Sequence, residues 1–182
     1  DSLTLQVDWF YVYLPTTGMS FTVDLGDDPQ DGDQWPLDVH LAVADDMALH
    51  VASVRLTELS ASEAQSCPDA AWKLSFEILP EEPDDRFLES VMVMSPLNSL
   101  GGGAESRRWT SKPGAGWALD EGPILSWMFV QTLPEGPIDV QVSSASVRVQ
   151  GPWTVTWRIP EDTGYPADTG YPADAGYPNA DE

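Results

Sequence analysis

The chain has 182 residues, 42 % of them hydrophobic, so it can bury a core of ordinary size and is not a disordered polymer. It carries 30 Asp and Glu against 8 Lys and Arg, a formal net charge of −22. Such a surface repels nucleic-acid phosphates and the anionic leaflet of a membrane, which argues against both as partners. The longest apolar stretch, Ile124 to Val130, is interrupted by Ser126 and falls far short of the ~20 residues a spanning helix needs, so no membrane insertion is expected.

Period-two alternation dominates from the first residues onward. Leu3, Leu5, Val7, Trp9, Tyr11 and Tyr13 alternate with Thr4, Gln6 and Asp8, which predicts an unusually long first strand. Met19, Phe21, Val23 and Leu25 follow a Thr-Thr-Gly turn. Asp27, Asp28, Asp31 and Asp33 then form an acidic loop around Gly32. Calcium takes several oxygen ligands from a flexible acidic loop turned by glycine, which makes these four aspartates a candidate structural calcium site. The spacing does not match the helical calcium-loop pattern, and no closing glutamate is present. A solvated loop is the plain alternative.

Alternation resumes at Leu37, Val39, Leu41 and Val43, and Asp45-Asp46 reads as a tight turn into Leu49 and Val51. There the phase slips, because the next apolar pair is Val54 and Leu56. A slip of one residue would turn every later side chain to the wrong face, so a bulge is expected near Ala52-Ser53. Trp72, Leu74, Phe76 and Ile78 make the next strand, stopped by Pro80 and Pro83. Residues 87 to 94 read as a strand apolar on both faces. Ser95 to Gly116, with Gly101, Gly102 and Gly103, reads as the longest irregular segment of the domain and the glycines as a flexible loop. Ile124 to Val130 reads as a central strand. Ile138, Val140 and Val142 follow, and a second slip is expected at Ser143-Ser144 before Ala145, Val147 and Val149. Trp153, Val155, Trp157 and Ile159 close the domain, and Trp72, Trp153 and Trp157 are placed in the core by phase.

About nine or ten short strands joined by Gly, Pro and Asp turns predict an all-β, antiparallel β-sandwich, immunoglobulin-like or jelly-roll-like, over residues 1–160, with a closed barrel as the alternative. Residues 161–182 differ. TGYPAD at 163–168 is repeated at 169–174 and continues as AGYP, a composition that buries no core and stays extended. This tail holds six acids and no base, so residues 1–160 still carry −16 of the −22. Thr163 and Thr169, set among prolines, are candidate sites for glycan attachment.

Catalytic signals are lacking. His40 and His50 are the only histidines, and each lies on the polar phase of its strand. No serine has a GxSxG context, and no HxH or HExxH spacing occurs. Cys67, the single cysteine, sits in a polar Ser-Cys-Pro loop and cannot form an intrachain disulfide. Surface carboxylates are too numerous to single out an acid–base pair, so a hydrolase is the third-ranked reading and no cofactor is expected beyond structural calcium. Trp35, Trp109 and Trp117 lie in or beside loops and could stack sugars, which keeps a carbohydrate-binding module, with polysaccharide as partner, as the alternative function.

The closing segment GPWTVTWRIP, Gly151 to Pro160, resembles the final strand of certain bacterial extracytoplasmic immunoglobulin-like domains, and the GYPAD repeats are similar to Tyr-Pro spacers of bacterial surface proteins. The resemblance implies a sandwich at the cell surface and carries no catalytic residue across. Together with the acidity and a chain that starts at Asp1, it leads us to expect an extracellular or cell-surface location after signal-peptide removal. The leading expectation is a non-enzymatic structural or interaction protein, a filament subunit that pairs with copies of itself or other surface proteins. Its assembly element would be the long first strand, donated by β-strand addition through Leu3, Leu5, Val7, Trp9, Tyr11 and Tyr13.

Overall fold

In the computed structural model of the chain, the alternating segments become two packed antiparallel sheets. Residues 2–83, 85–96, 99–107, 122–133 and 136–158 are described in full, and residues 109–112 and 116–119 by their backbone. Among them are eleven strands: β1 (Ser2–Leu14), β2 (Ser20–Asp24), β3 (Gln34–Ala44), β4 (Met47–Glu58), β5 (Trp72–Glu81), β6 (Arg86–Met94), β7 (Ser99–Ala104), β8 (Trp109–Lys112), β9 (Gly116–Leu119), β10 (Ile124–Val130) and β11 (Pro137–Arg158). A single helical turn and a half, α1 (Ala61–Ser66), links β4 to β5.

The first sheet is organised by β11, which is 22 residues long. One edge of β11 carries β6, from Gln141↔Met94 to Val149↔Arg86. Its other edge carries β2 at residues 137–141 and then β1 from Ala145 to Arg158. The second sheet has the order β3-β4-β5-β10-β7, and β8 pairs with β9 as a separate hairpin. The all-β sandwich expected from alternation is therefore the fold.

Between the sheets lies one apolar cluster. Leu49, Val51, Val54, Leu56, Leu74, Phe76, Ile78, Ile124 and Met128 from the second sheet meet Val91, Val93, Ile138 and Val140 from the first, all of them fully buried. Phe21 and Phe76 touch edge to face across the gap, 5.9 Å between ring centroids, an arrangement that matches ring edge to ring face electrostatically. Ser126 is the polar tie within this core: its hydroxyl accepts from Val93 N–H (3.0 Å) and donates to the Gly103 carbonyl (3.3 Å). A buried hydroxyl satisfied on both sides fixes how β6 and β7 lie against β10 at no desolvation cost.

Both expected phase slips are present as ladder irregularities. β4 shifts register on β5 between Val51 and Ser53, and β11 shifts on β6 between Val142 and Ser144. Each repair keeps the later apolar residues on the inner face. Two expectations need correction. Residues 95–116 are not one irregular loop, since β7, β8 and the start of β9 lie within them. Gly101 to Gly103 lie within β7, and at Gly102 and Gly103 Trp127 of β10 occupies the space a side chain would need. A Cβ on Gly103 would stand 2.7 Å from the Trp127 ring, and one on Gly102 2.5 Å from the Trp127 carbonyl oxygen. The helix α1 went unforeseen, yet its signal is a capping box of Ser60 and Glu63 in which each side chain accepts a hydrogen bond from the other's backbone N–H.

Candidate functional site

The surface that stands out is where β1 and β11 continue together beyond the rest of their sheet. The pairing of β6 stops at Val149, but β1 stays on β11 to Ser2↔Arg158. None of residues 2–6 or 150–158 is buried, so this two-stranded ribbon has left the core behind. Its sides differ sharply. Leu3↔Trp157, Leu5↔Val155 and Val7↔Trp153 pair on one face, while Ser2↔Arg158, Thr4↔Thr156 and Gln6↔Thr154 pair on the other. Leu3, Leu5, Val155 and Trp157 are each about half exposed or more, at 58 %, 48 %, 47 % and 47 %.

The apolar face of the ribbon prolongs the inner face of the sheet. Phe10 pairs with Val149, which packs against the core, and the Phe10 ring lies 4.7 Å from that of Trp153. Apolar side chains therefore run from the buried interior to Leu3 and Trp157, which among the described residues no strand of the opposite sheet buries. Among the described residues the outer edge of β1 has no ladder partner, and beyond Val149 the far edge of β11 has none either. The ribbon thus offers unpaired backbone donors and acceptors on both edges as well as apolar side chains on one face.

The six residues expected to form one assembly face are divided by a bulge between Val7 and Trp9. Leu3, Leu5 and Val7 share the apolar face with Trp153, Val155 and Trp157. Trp9, Tyr11 and Tyr13 lie on the opposite side of β1 from Phe10, Val12 and Leu14. There Arg148 lies over the rings of Trp9 and Tyr11, at 4.2 and 5.0 Å from their centroids, and donates to the Tyr11 hydroxyl. Tyr11 in turn donates to the nearly buried Glu89 (3.0 Å). Phase read from alternation assumed an unbroken strand, and one bulge exchanges the faces. Trp153 is half-buried and Trp157 exposed, although both were expected in the core, because they lie on the part of β11 that runs on beyond its pairing with β6.

No protein-family model matches the chain, and neither does any curated protein or solved structure. The site has to be read from its own residues.

The acidic loop is stitched to its neighbours by hydrogen bonds. Asp33 accepts from Gln30 N–H (2.8 Å), Asp28 from the Gln30 amide (2.9 Å), and Asp31 from Glu58 N–H at the end of β4 (2.8 Å). Gly32, at φ +88°, makes the turn in a left-handed conformation that glycine adopts freely. Asp27, Asp28, Asp31 and Asp33 do not bring three ligand atoms together, and the carboxylates of Asp28, Asp31 and Asp33 accept from backbone and amide donors. Trp35 faces inward from β3 and packs against the core, so its ring is not an exposed platform. The side chains of Trp109 and Trp117 lie outside the described residues, as do Thr163, Thr169 and the repeat tail. Cys67 caps the C-terminus of α1 and is half-buried.

Among the described residues, one group of three metal-ligating side chains does converge: Asp38, His40 and His50. His40 on β3 stands directly opposite His50 on β4. Strand phase predicted both to point outward, and they do. Only the register of the hairpin brings them together.

Proposed function

We propose that the chain is a non-enzymatic structural or interaction protein of the extracellular or cell-surface space, and that it assembles with further copies through the ribbon formed by residues 2–7 and 153–158. The observation that carries this reading is an apolar sheet face that outruns its covering sheet and is flanked by two unpaired strand edges. Each half of that description is a known driver of association. Unpaired edges recruit a further strand through backbone hydrogen bonds, and covering apolar area is worth about 25 cal/mol per Å². Long-range repulsion between chains of −22 would oppose random clustering and leave only an oriented, close-packed contact favourable.

Light scattering with negative-stain microscopy on the same sample tests the proposal. The wild-type chain should form oligomers or filaments whose size grows with concentration and with salt, because salt screens the repulsion. Leu5→Asp together with Trp157→Asp should return it to a monomer without lowering its melting temperature. A wild-type chain that stays monomeric at high concentration in high salt would overturn the proposal.

A further inference from the structure

We propose that Asp38, His40 and His50 form a binding site for a divalent cation of the zinc class, with Glu81 holding His40 in register from behind. The proposal is independent of assembly, because these residues sit on the outer face of the β3–β4 hairpin, in the other sheet from the ribbon.

The geometry comes first. The Asp38 carboxylate oxygen Oδ1 lies 3.3 Å from Nε2 of His40 and 3.3 Å from Nε2 of His50. In a tetrahedral zinc site with metal–ligand bonds of about 2.0–2.1 Å, ligand atoms stand about 3.3 Å apart. The two Asp–His edges therefore already have the spacing of a zinc tetrahedron. The His40–His50 edge is no more than 4.8 Å, since all three ligating atoms lie within that distance of one another. The rings are stacked almost parallel, 4.3 Å between centroids and 6° between planes, so their lone pairs run side by side. Loading an ion requires the rings to tilt toward each other and close that third edge by at most about 1.5 Å. His40 is half exposed at 51 % and Asp38 almost free at 90 %, so there is room for that movement and for water at a fourth position.

The surroundings of His40 fit a ligand role. Nδ1 of His40 lies 3.1 Å from the Glu81 carboxylate, and Nε2 is at hydrogen-bond distance, 3.3 Å, from Asp38 Oδ1. In the tautomer that carries its proton on Nδ1, beside Glu81, Nε2 offers a lone pair to an ion on the Asp38 side. One divalent ion there would engage all three groups at once. A carboxylate on the far nitrogen of a ligating histidine is also the usual way a protein fixes the tautomer and raises the basicity of that ligand. The surrounding charge of −22 concentrates cations at the surface and adds to the attraction. Imidazole and carboxylate donors in this ratio suit zinc and its neighbours in the transition series, whereas calcium and magnesium prefer an all-oxygen shell.

The test is zinc titration of the full chain, followed by imidazole nitrogen NMR and by calorimetry. The acidic surface will bind cations diffusely, so a large excess of magnesium is present throughout. One equivalent of zinc should shift the Nε2 resonances of both histidines in a saturable step. His50→Asn should abolish the step, and Glu81→Gln should weaken it by about tenfold. Cobalt in place of zinc should show the visible absorption of a tetrahedral site in the wild type and not in His50→Asn. Imidazole resonances unmoved by one equivalent of zinc would overturn the proposal. So would a calorimetric step that His50→Asn leaves unchanged, since the ion would then sit on carboxylates elsewhere.

Discussion

The two halves of β11 make the sharpest contrast in the molecule. Residues 138, 140, 142, 145 and 147 alternate inward and are at most 3 % exposed. Residues 153, 155 and 157 continue the apolar pattern in the same strand, yet Val155 and Trp157 are 47 % exposed. Backbone pairing is kept throughout, on β2 and then on β1. The difference lies in what stands opposite. The first half faces the second sheet, and among the described residues no packed layer buries the second half. Alternation therefore specifies which side of a strand is apolar, whereas burial requires a partner layer that the strand itself does not encode.

The largest effect expected from this contrast is on stability. Phe76→Ala in the covered region removes a fully buried ring that touches Phe21, and should cost about 3–5 kcal/mol in denaturant unfolding. Trp157→Ala, an aromatic truncation of the same kind on the ribbon, should stay within about 0.5 kcal/mol. Similar losses at the two positions would mean that the ribbon is covered within a single chain, and the contrast would fail.

A middle-sized effect separates a glycine that makes room from one with open space beside it. Gly103→Ala places a methyl group against the Trp127 ring and should cost about 1–3 kcal/mol. Gly101→Ala, where a Cβ meets nothing within 4 Å, should cost far less. Unfolding midpoints of the two variants give the comparison directly.

The smallest effect concerns α1. Lys73 and the Ser60 hydroxyl and backbone N–H hydrogen-bond the Glu63 carboxylate and lower its pKa from 4.5 to about 2. Because the folded value is depressed, the associated stabilisation is complete above about pH 4.5 and is lost as pH falls through about 2. The stability gap between the wild type and Glu63→Gln should therefore be constant above pH 4.5 and close toward pH 2. Ser60→Ala, which removes the reciprocal cap, should cost about 1 kcal/mol at neutral pH. A gap that stays open at pH 2 would show that the carboxylate is not held this way.

Much of this fold was legible in the chain because its signals are local. The long alternating runs gave the strands, Asp45-Asp46 gave a hairpin turn, and two breaks of phase gave the bulges near Ser53 and Ser144. Ser60 and Glu63 also carry a legible helix start. The glycines of β7 were misread because a Gly-Gly-Gly run in isolation carries no trace of the tryptophan beside it. The His40–His50 pair lay just out of reach. A turn at Asp45-Asp46 that pairs Ala44 with Met47 would set His40 opposite Val51, and a register shift between Ala42 and Ala44 moves it to His50.

What the sequence determined by itself is the all-β class and the positions of the strongly alternating strands, since these follow from periodicity along one chain. What only the tertiary structure decided is which strands pair, in what register, and how far one sheet outruns the other. Those depend on contacts between residues more than a hundred positions apart, as in Leu3 opposite Trp157, and pairwise register of that kind leaves no mark on either segment alone.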